Sequence, residues 1–203
     1  MKLLVHLLPY HSTDRYSAAA RAAGSRGGTA MAGLTLSRSG VLQFMGLGET
    51  PCEILLTIAD GEEAAAVAAS VSAEAERAGE AVTSLSMNVL AFANAENHLI
   101  CKNGEREMDE KLRIIATIVN KGCADDVMAV ARAAGAKGGT VLQARGTASA
   151  DDAKFFGVSL VPEKELLLIV ADVASAPAIF DAIRECDILK QKGGGIVFST
   201  AAN

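Results

Sequence analysis

Four cysteines (Cys52, Cys101, Cys123 and Cys186) and three histidines (His6, His11 and His98) are the side chains of this sequence best suited to hold a metal or act as nucleophiles. Thiolate metal sites draw their ligands from closely spaced pairs, and no Cys-x-x-Cys pair occurs here. His6 and His11 read more simply as a strand histidine followed by a loop histidine. There is no His-Glu-x-x-His run, no serine in a nucleophile elbow and no evident Cys–His pair. The paired acids Glu62-Glu63 and Asp151-Asp152 fall where a first helical turn or a loop places them, and read as solvated surface. No catalytic residue and no metal ligand is expected, so the chain reads as non-enzymatic.

The glycines carry more information. Lys137-Gly138-Gly139-Thr140 stands between a helix end and a strand start, and Arg145-Gly146 where that strand leaves its sheet. Lys190-Gln191-Lys192-Gly193-Gly194-Gly195 precedes the last strand. Glycine turns expose backbone N–H groups that can form an anion-binding concavity, and neighbouring Lys and Arg add charge for a phosphate. The same glycines also suit plain turns.

The composition sets the frame for those segments. Of the 203 residues 50% are apolar and 4% aromatic, which is enough apolar surface to offset chain entropy and exclude disorder. Lys+Arg number 19 against Asp+Glu 24, a net charge of −5 that argues against nucleic acid as partner. The apolar N-terminal run is interrupted by His6 and ended by Pro9, unlike a signal peptide. No run approaches the ~20 apolar residues that span a bilayer. Scattered cysteines suit a reducing compartment, and a cytoplasmic location is expected.

The chain is an internal duplication. Ala20-Arg21-Ala22-Ala23-Gly24-Ser25-Arg26-Gly27-Gly28-Thr29 matches Ala131-Arg132-Ala133-Ala134-Gly135-Ala136-Lys137-Gly138-Gly139-Thr140, displaced by about 111 positions. The same displacement pairs Asp14 with Asp125, Phe44 with Phe155, Pro51 with Pro162 and Leu55-Leu56 with Leu166-Leu167, so the sequence predicts a gapless register.

Each copy predicts the same elements. Leu3–Leu8 and Ile114–Val119 read as buried strands. Tyr16, Ala19, Ala20 and Ala23 in one copy, and Val127, Val130, Ala131 and Ala134 in the other, line one helical face. Gly24 and Gly135 stand at left-handed helix caps. A second strand starts at Thr29 or Thr140, a third covers 54–59 or 166–171, a second helix covers 62–78 or 176–186, and a last strand closes each copy. The expected fold is α+β: two tandem ferredoxin-like (βαββαβ) domains with antiparallel sheets, at 1–95 and 111–203. A polar linker at 96–110 carries the turn dipeptide Asn103-Gly104. A continuous apolar strand such as Leu166–Ala171 suggests burial on both faces, and with it self-association.

The second copy resembles the P-II-like signal-transduction proteins of the nitrogen regulatory P-II superfamily. The resemblance rests on Arg132–Thr140, Arg145-Gly146-Thr147, Lys154-Phe155-Phe156-Gly157, Pro162–Leu166 and Gly193-Gly194-Gly195-Ile196, about 90 residues in one order. The first copy is similar but more diverged, which makes the chain a tandem fusion. The resemblance implies a homo-oligomeric regulatory protein that senses a small anionic metabolite and acts on a protein target, a transporter or an enzyme, without entering a membrane. It implies an adenine nucleotide (AMP, ADP or ATP) as candidate effector. By the resemblance Gly138, Gly139 and Thr140 hold the base and ribose, Arg145 and Gly146 form the base of the signalling loop, and Lys192, Gly193, Gly194 and Gly195 the phosphate loop. The stretch 147–161 has no tyrosine for uridylylation, and Ile196 follows Gly195 where nucleotide-binding members place a lysine. Two other readings fit the same pattern: an interaction module without ligand, and an amino-acid-sensing pair of ACT type.

Overall fold

The computed structural model describes residues 1–36, 44–45, 49–94, 111–147, 154–155, 158–159, 162–191 and 193–202. The expected linker at 96–110, His98, Cys101 and Lys192 lie outside the described residues. In the first half the elements are β1 (Lys2–Pro9), α1 (Thr13–Ala22), β2 (Thr29–Leu36), β3 (Glu49–Ala59), α2 (Gly61–Ala78), β4 (Thr83–Asn88) and β5 (Ala91–Asn94). The second half continues with β6 (Leu112–Asn120), α3 (Ala124–Ala133), β7 (Thr140–Gly146), β8 (Lys154–Phe155) and β9 (Val158–Ser159). It ends with β10 (Glu163–Asp172), α4 (Ala176–Arg184), α5 (Asp187–Lys190) and β11 (Gly195–Ala202). The chain is α+β, and it divides into two compact units.

The first unit comprises Met1–Met87 with Arg145–Pro162. Its strands lie in the order β4-β1-β3-β2, with β1 and β2 both antiparallel to β3. Arg145 and Gly146 extend the ladder beyond β2, opposite Ala30 and Thr29. Alternate residues of β1 and β3 (Leu4, Leu8, Leu55) meet Tyr16 and Ala20 of α1 and Val67 and Val71 of α2 in one core. Burying each large apolar side chain contributes about 1.5–3 kcal/mol. Helix α1 ends in the expected left-handed glycine, Gly24 at φ 103°, and Ser25 N–H returns to Ala20 C=O at 3.0 Å, which satisfies a carbonyl the helix leaves open.

The second unit comprises Asn88–Ala144 with Glu163–Asn203, and its strands run β7-β10-β6-β11-β5. The core packs Ile115, Val119, Leu167 and Ile169 of the strands against Val127 and Ala131 of α3 and Ile179 and Ile183 of α4. Ile179, Phe180 and Ile183 occupy one helical face, as their spacing predicts, and all three are buried. Ahead of the expected linker at 96–110, Ala91–Asn94 forms a further strand. It pairs antiparallel with β11, Phe92 opposite Phe198, and Ala93 is buried there.

The repeat register shifts by one residue between the second and third strands. His6 of β1 stands opposite Leu55, while Thr117, its counterpart at the expected displacement, stands opposite Leu167 rather than Leu166. Likewise Leu8 faces Glu53 and Val119 faces Glu165. The second copy therefore carries one extra residue between those strands, and Glu53 corresponds to Glu165. This corrects the gapless register. The side-chain period of a strand is two, so a slip of one would turn core residues out to the other face.

Candidate anion site

Within the second unit the two glycine segments do not meet. Gly138–Thr140 leads into β7 and Gly193–Gly195 into β11, and β10 and β6 stand between those strands. Three of the glycines answer to packing. A Cβ on Gly139 would lie 2.8 Å from Leu167 Cδ1, 3.0 Å from Met128 Sδ and 3.1 Å from Leu168 C=O. One on Gly194 would overlap the carbonyl of Ile188, and one on Gly195 the carbonyl of Ile118. Gly138 and Gly193 have open space where a side chain would stand, and Gly193 takes φ 74°. Thr140 is exposed.

The Gly193 turn gathers polar groups from two neighbouring strands. Lys164 and Asn120 are cross-strand partners on β10 and β6, and the Lys164 ammonium donates to Asn120 Oδ1 at 2.6 Å. Lys164 Nζ and Asn120 Nδ2 both approach the Gly193 carbonyl at 3.5 Å. Burial pushes the Lys164 amine below its ordinary range, partly opposed by the neighbouring Cys123. Beside it, Lys121 forms an ion pair with Glu163 at 3.0 Å. No carboxylate among the described residues pairs with Lys164. An ammonium on a partly buried side chain, held by two neutral oxygens next to a glycine turn, can accept an anion, since a partner charge offsets the desolvation of that side chain. No group of acidic, His and Cys side chains among the described residues is disposed to hold a metal ion.

Lys164 lies within the matching run Pro162–Leu166 and is not among the site residues expected from the sequence. Between Glu163 and Glu165 at the start of β10 it carries no signal of its own; what assigns it is the register that sets it against Asn120, which no local spacing contains.

Arg145 and Gly146 belong to the first unit, where the arginine is already engaged. Its guanidinium donates to Asp14 Oδ1 at 2.9 Å and lies 3.6 Å from Glu53 Oε1. Desolvation pulls the guanidinium down, and the Asp14 hydrogen bond and the two carboxylate charges more than offset it, so it sits above its ordinary range. Glu53 in turn holds the start of α1: its Oε2 accepts from Ser12 N–H (3.1 Å), Thr13 N–H (2.9 Å) and Thr13 Oγ1 (2.5 Å). Arg21 donates to the Thr147 carbonyl at 2.6 Å, and Thr147 N–H to the Gly28 carbonyl at 2.9 Å. Gly146 N–H bonds Pro162 C=O at 2.9 Å. The Arg145-Gly146 pair is thus tied down by polar contacts of its own.

No family model matches the sequence, and no curated protein matches it. Among solved structures the chain is similar to an unknown protein from Galdieria sulphuraria, at 7% identity and TM-score 0.32, over 100% of this chain and 98% of that one. It is also similar to an anthrone oxidase-like protein, at 9% identity and TM-score 0.25, over 100% of this chain and 91% of that one. TM-scores this low leave fold and site to be read from the chain itself. No helix among the described residues is long and apolar enough to cross a membrane.

Proposed function

We propose that this chain is a cytoplasmic, self-associating regulatory protein of P-II-like type, built from two ferredoxin-like domains, that binds a small anionic metabolite and signals to a protein target. The strand order β4-β1-β3-β2 in the first unit, and the matching order β7-β10-β6-β11 in the second, support the ferredoxin-like reading. The observation that carries the anion is Lys164: its side chain is partly buried and its ammonium stands beside the Gly193 turn, with Asn120 and a backbone carbonyl as its partners and no carboxylate among the described residues to neutralise it. A phosphate or carboxylate group seated there gains a charge-assisted hydrogen bond, and an adenine nucleotide is the effector class to test first. No catalytic group enters this reading; the protein responds to its ligand rather than transforming it.

The test is thermal melting of the wild type and of Lys164→Met with pyrophosphate, AMP, ADP and ATP at millimolar concentration. A ligand that binds the folded state raises the apparent stability, by about 2.7 kcal/mol at one hundred times its Kd. The expected result is a melting shift in the wild type that Lys164→Met loses while keeping its own cooperative transition. No shift with any of these anions overturns the sensor and leaves an interaction module; a shift that survives Lys164→Met places the anion elsewhere.

A further inference from the structure

We propose that Lys164 is a carbonyl-capturing residue, whose amine forms a reversible imine with a small aldehyde. The inference goes beyond the anion reading and stands without it, because an imine needs a free amine and no anion. A lysine keeps its proton best beside a carboxylate and least well where its partners are neutral. Three other lysines of the second unit have a carboxylate beside them. Lys121 lies 3.0 Å from Glu163, Lys137 3.6 Å from Asp172 and Lys190 3.2 Å from Glu185. Lys164 has no such neighbour among the described residues: its partners are Asn120 Oδ1 at 2.6 Å and the Gly193 carbonyl at 3.5 Å.

The strand explains the difference. Glu163 and Glu165 flank Lys164 in sequence, but side chains alternate along a strand, so both carboxylates leave on the opposite face. Each is committed there: Glu163 accepts from Lys121, and Glu165 from the Ala124 N–H at 3.0 Å. The Lys164 side chain is also partly buried, which disfavours its charged form and holds the amine below its ordinary range. Lysines in such settings are the ones that act as Schiff-base nucleophiles. The nitrogen lone pair forms a bond to the carbonyl carbon, and the carbonyl oxygen leaves as water with the two protons of the amine. A proton from solvent then gives the iminium, which keeps one N–H and the positive charge, so Asn120 Oδ1 retains its donor. An aldehyde carries one substituent on the carbonyl carbon where a ketone carries two, which suits an amine anchored against a neighbouring strand.

The experiment is reductive trapping of the full chain with propionaldehyde and cyanoborohydride at neutral pH, with peptide mass spectrometry giving the initial rate at each lysine. In the folded chain Lys164 is expected to label at least about threefold faster than Lys121, Lys137 and Lys190. Accessibility alone predicts the opposite order, because Lys164 is the least exposed of the four. In concentrated urea the four are expected to label alike. Asn120→Asp sets a carboxylate against the ammonium, and is expected to bring Lys164 down to the rate of Lys121. Should that variant fail to fold, the urea comparison decides alone. Equal rates in the folded chain overturn the proposal. So does a preference for Lys164 that persists in urea or in folded Asn120→Asp. Propionaldehyde carries no charge, so the result is separate from whether any anion shifts the melting temperature.

Discussion

Glu53 and Thr13 form a two-point polar join in the first unit: one carboxylate oxygen of Glu53 accepts both the backbone N–H of Thr13, at 2.9 Å, and its hydroxyl, at 2.5 Å. A strand residue 40 positions away thus does what the helix's own N-cap, Ser12, does not do with its side chain. The second unit repeats the device, with Glu165 Oε2 accepting from Ala124 N–H at 3.0 Å.

That join predicts acid sensitivity. Burial pushes the Glu53 carboxyl up, but the Thr13 hydroxyl and N–H, the Arg145 charge and the Ser12 N–H more than offset it, so it sits below the ordinary carboxylate range. A depressed folded-state pKa gives stability that is present above the unfolded value, about 4.3, and is lost as pH falls through the folded one. Glu53→Ala leaves two N–H groups and Arg145 short of a partner, and is expected to cost about 1–3 kcal/mol at neutral pH. Urea unfolding between neutral pH and pH 3 measures both effects. The wild type should lose stability on acidification more steeply than Glu53→Ala, and equal slopes would show that the carboxylate contributes nothing.

Gly28 and Gly139 fill the same place in the two units. A Cβ on Gly28 would lie 2.8 Å from Leu56 C=O and 2.9 Å from Leu55 Cδ1, and one on Gly139 meets Leu167 Cδ1 and Leu168 C=O at 2.8 and 3.1 Å. Gly139→Ala and Gly28→Ala are each expected to destabilise by about 1–3 kcal/mol through overpacking. Chemical denaturation reads this directly. If Gly139→Ala keeps full stability and loses only the anion response, the ligand-contact reading of that glycine returns.

Much of the fold was legible because duplication let each copy check the other. The α1 and α3 faces, the caps at Gly24 and Gly135 and the strand starts at Thr29 and Thr140 all recur at one spacing. The one-residue slip was not legible. Leu166-Leu167-Leu168 is a run of one residue type, so Leu55-Leu56 matches it equally well in either register, and only cross-strand pairing decides. The site was less legible for the same reason. Lys164 meets Asn120 across a ladder, and Asp14 and Glu53 meet Arg145 far along the chain, where sequence spacing gives no warning. The glycines were visible, but what crowds them was not.

His6 predicts a second pH dependence, near neutrality. Its ring is 0% exposed, Nδ1 is shared with Ser84 Oγ, and Nε2 has no hydrogen-bond partner among the described residues. The neutral tautomer with Nδ1–H donating to Ser84 leaves only a lone pair unmatched at Nε2, whereas a proton there would bury a charge. Burial accordingly lowers its pKa. For a base this means the unfolded chain binds the proton better, so stability is full above about 6.5 and falls as pH drops below it toward the folded value. Melting temperatures of the wild type and of His6→Leu from pH 8 to 5 test this. The wild type should fall relative to the variant below pH 6.5, and parallel curves would remove His6 as the cause.

His11 gives the last prediction, and it runs toward stability. The turn after β1 places His11 at φ 64°, the one described non-glycine residue with positive φ. The turn after β6 places Gly122 there at φ 87°. A left-handed backbone costs a residue with a Cβ roughly 1–2 kcal/mol, and glycine almost nothing. The His11 ring leans against Tyr10, tilted by 47° with centroids 3.9 Å apart, but both residues are exposed, and an exposed ring pair offsets only part of that strain. His11→Gly removes the strain and also loosens the unfolded chain, which opposes the gain. The expected net is a stabilisation of about 0.5–1 kcal/mol, set by the strain term being the larger. The urea midpoint should rise at unchanged slope. A lower midpoint would mean that the contact with Tyr10 outweighs the backbone, and that histidine is held in this turn by its ring.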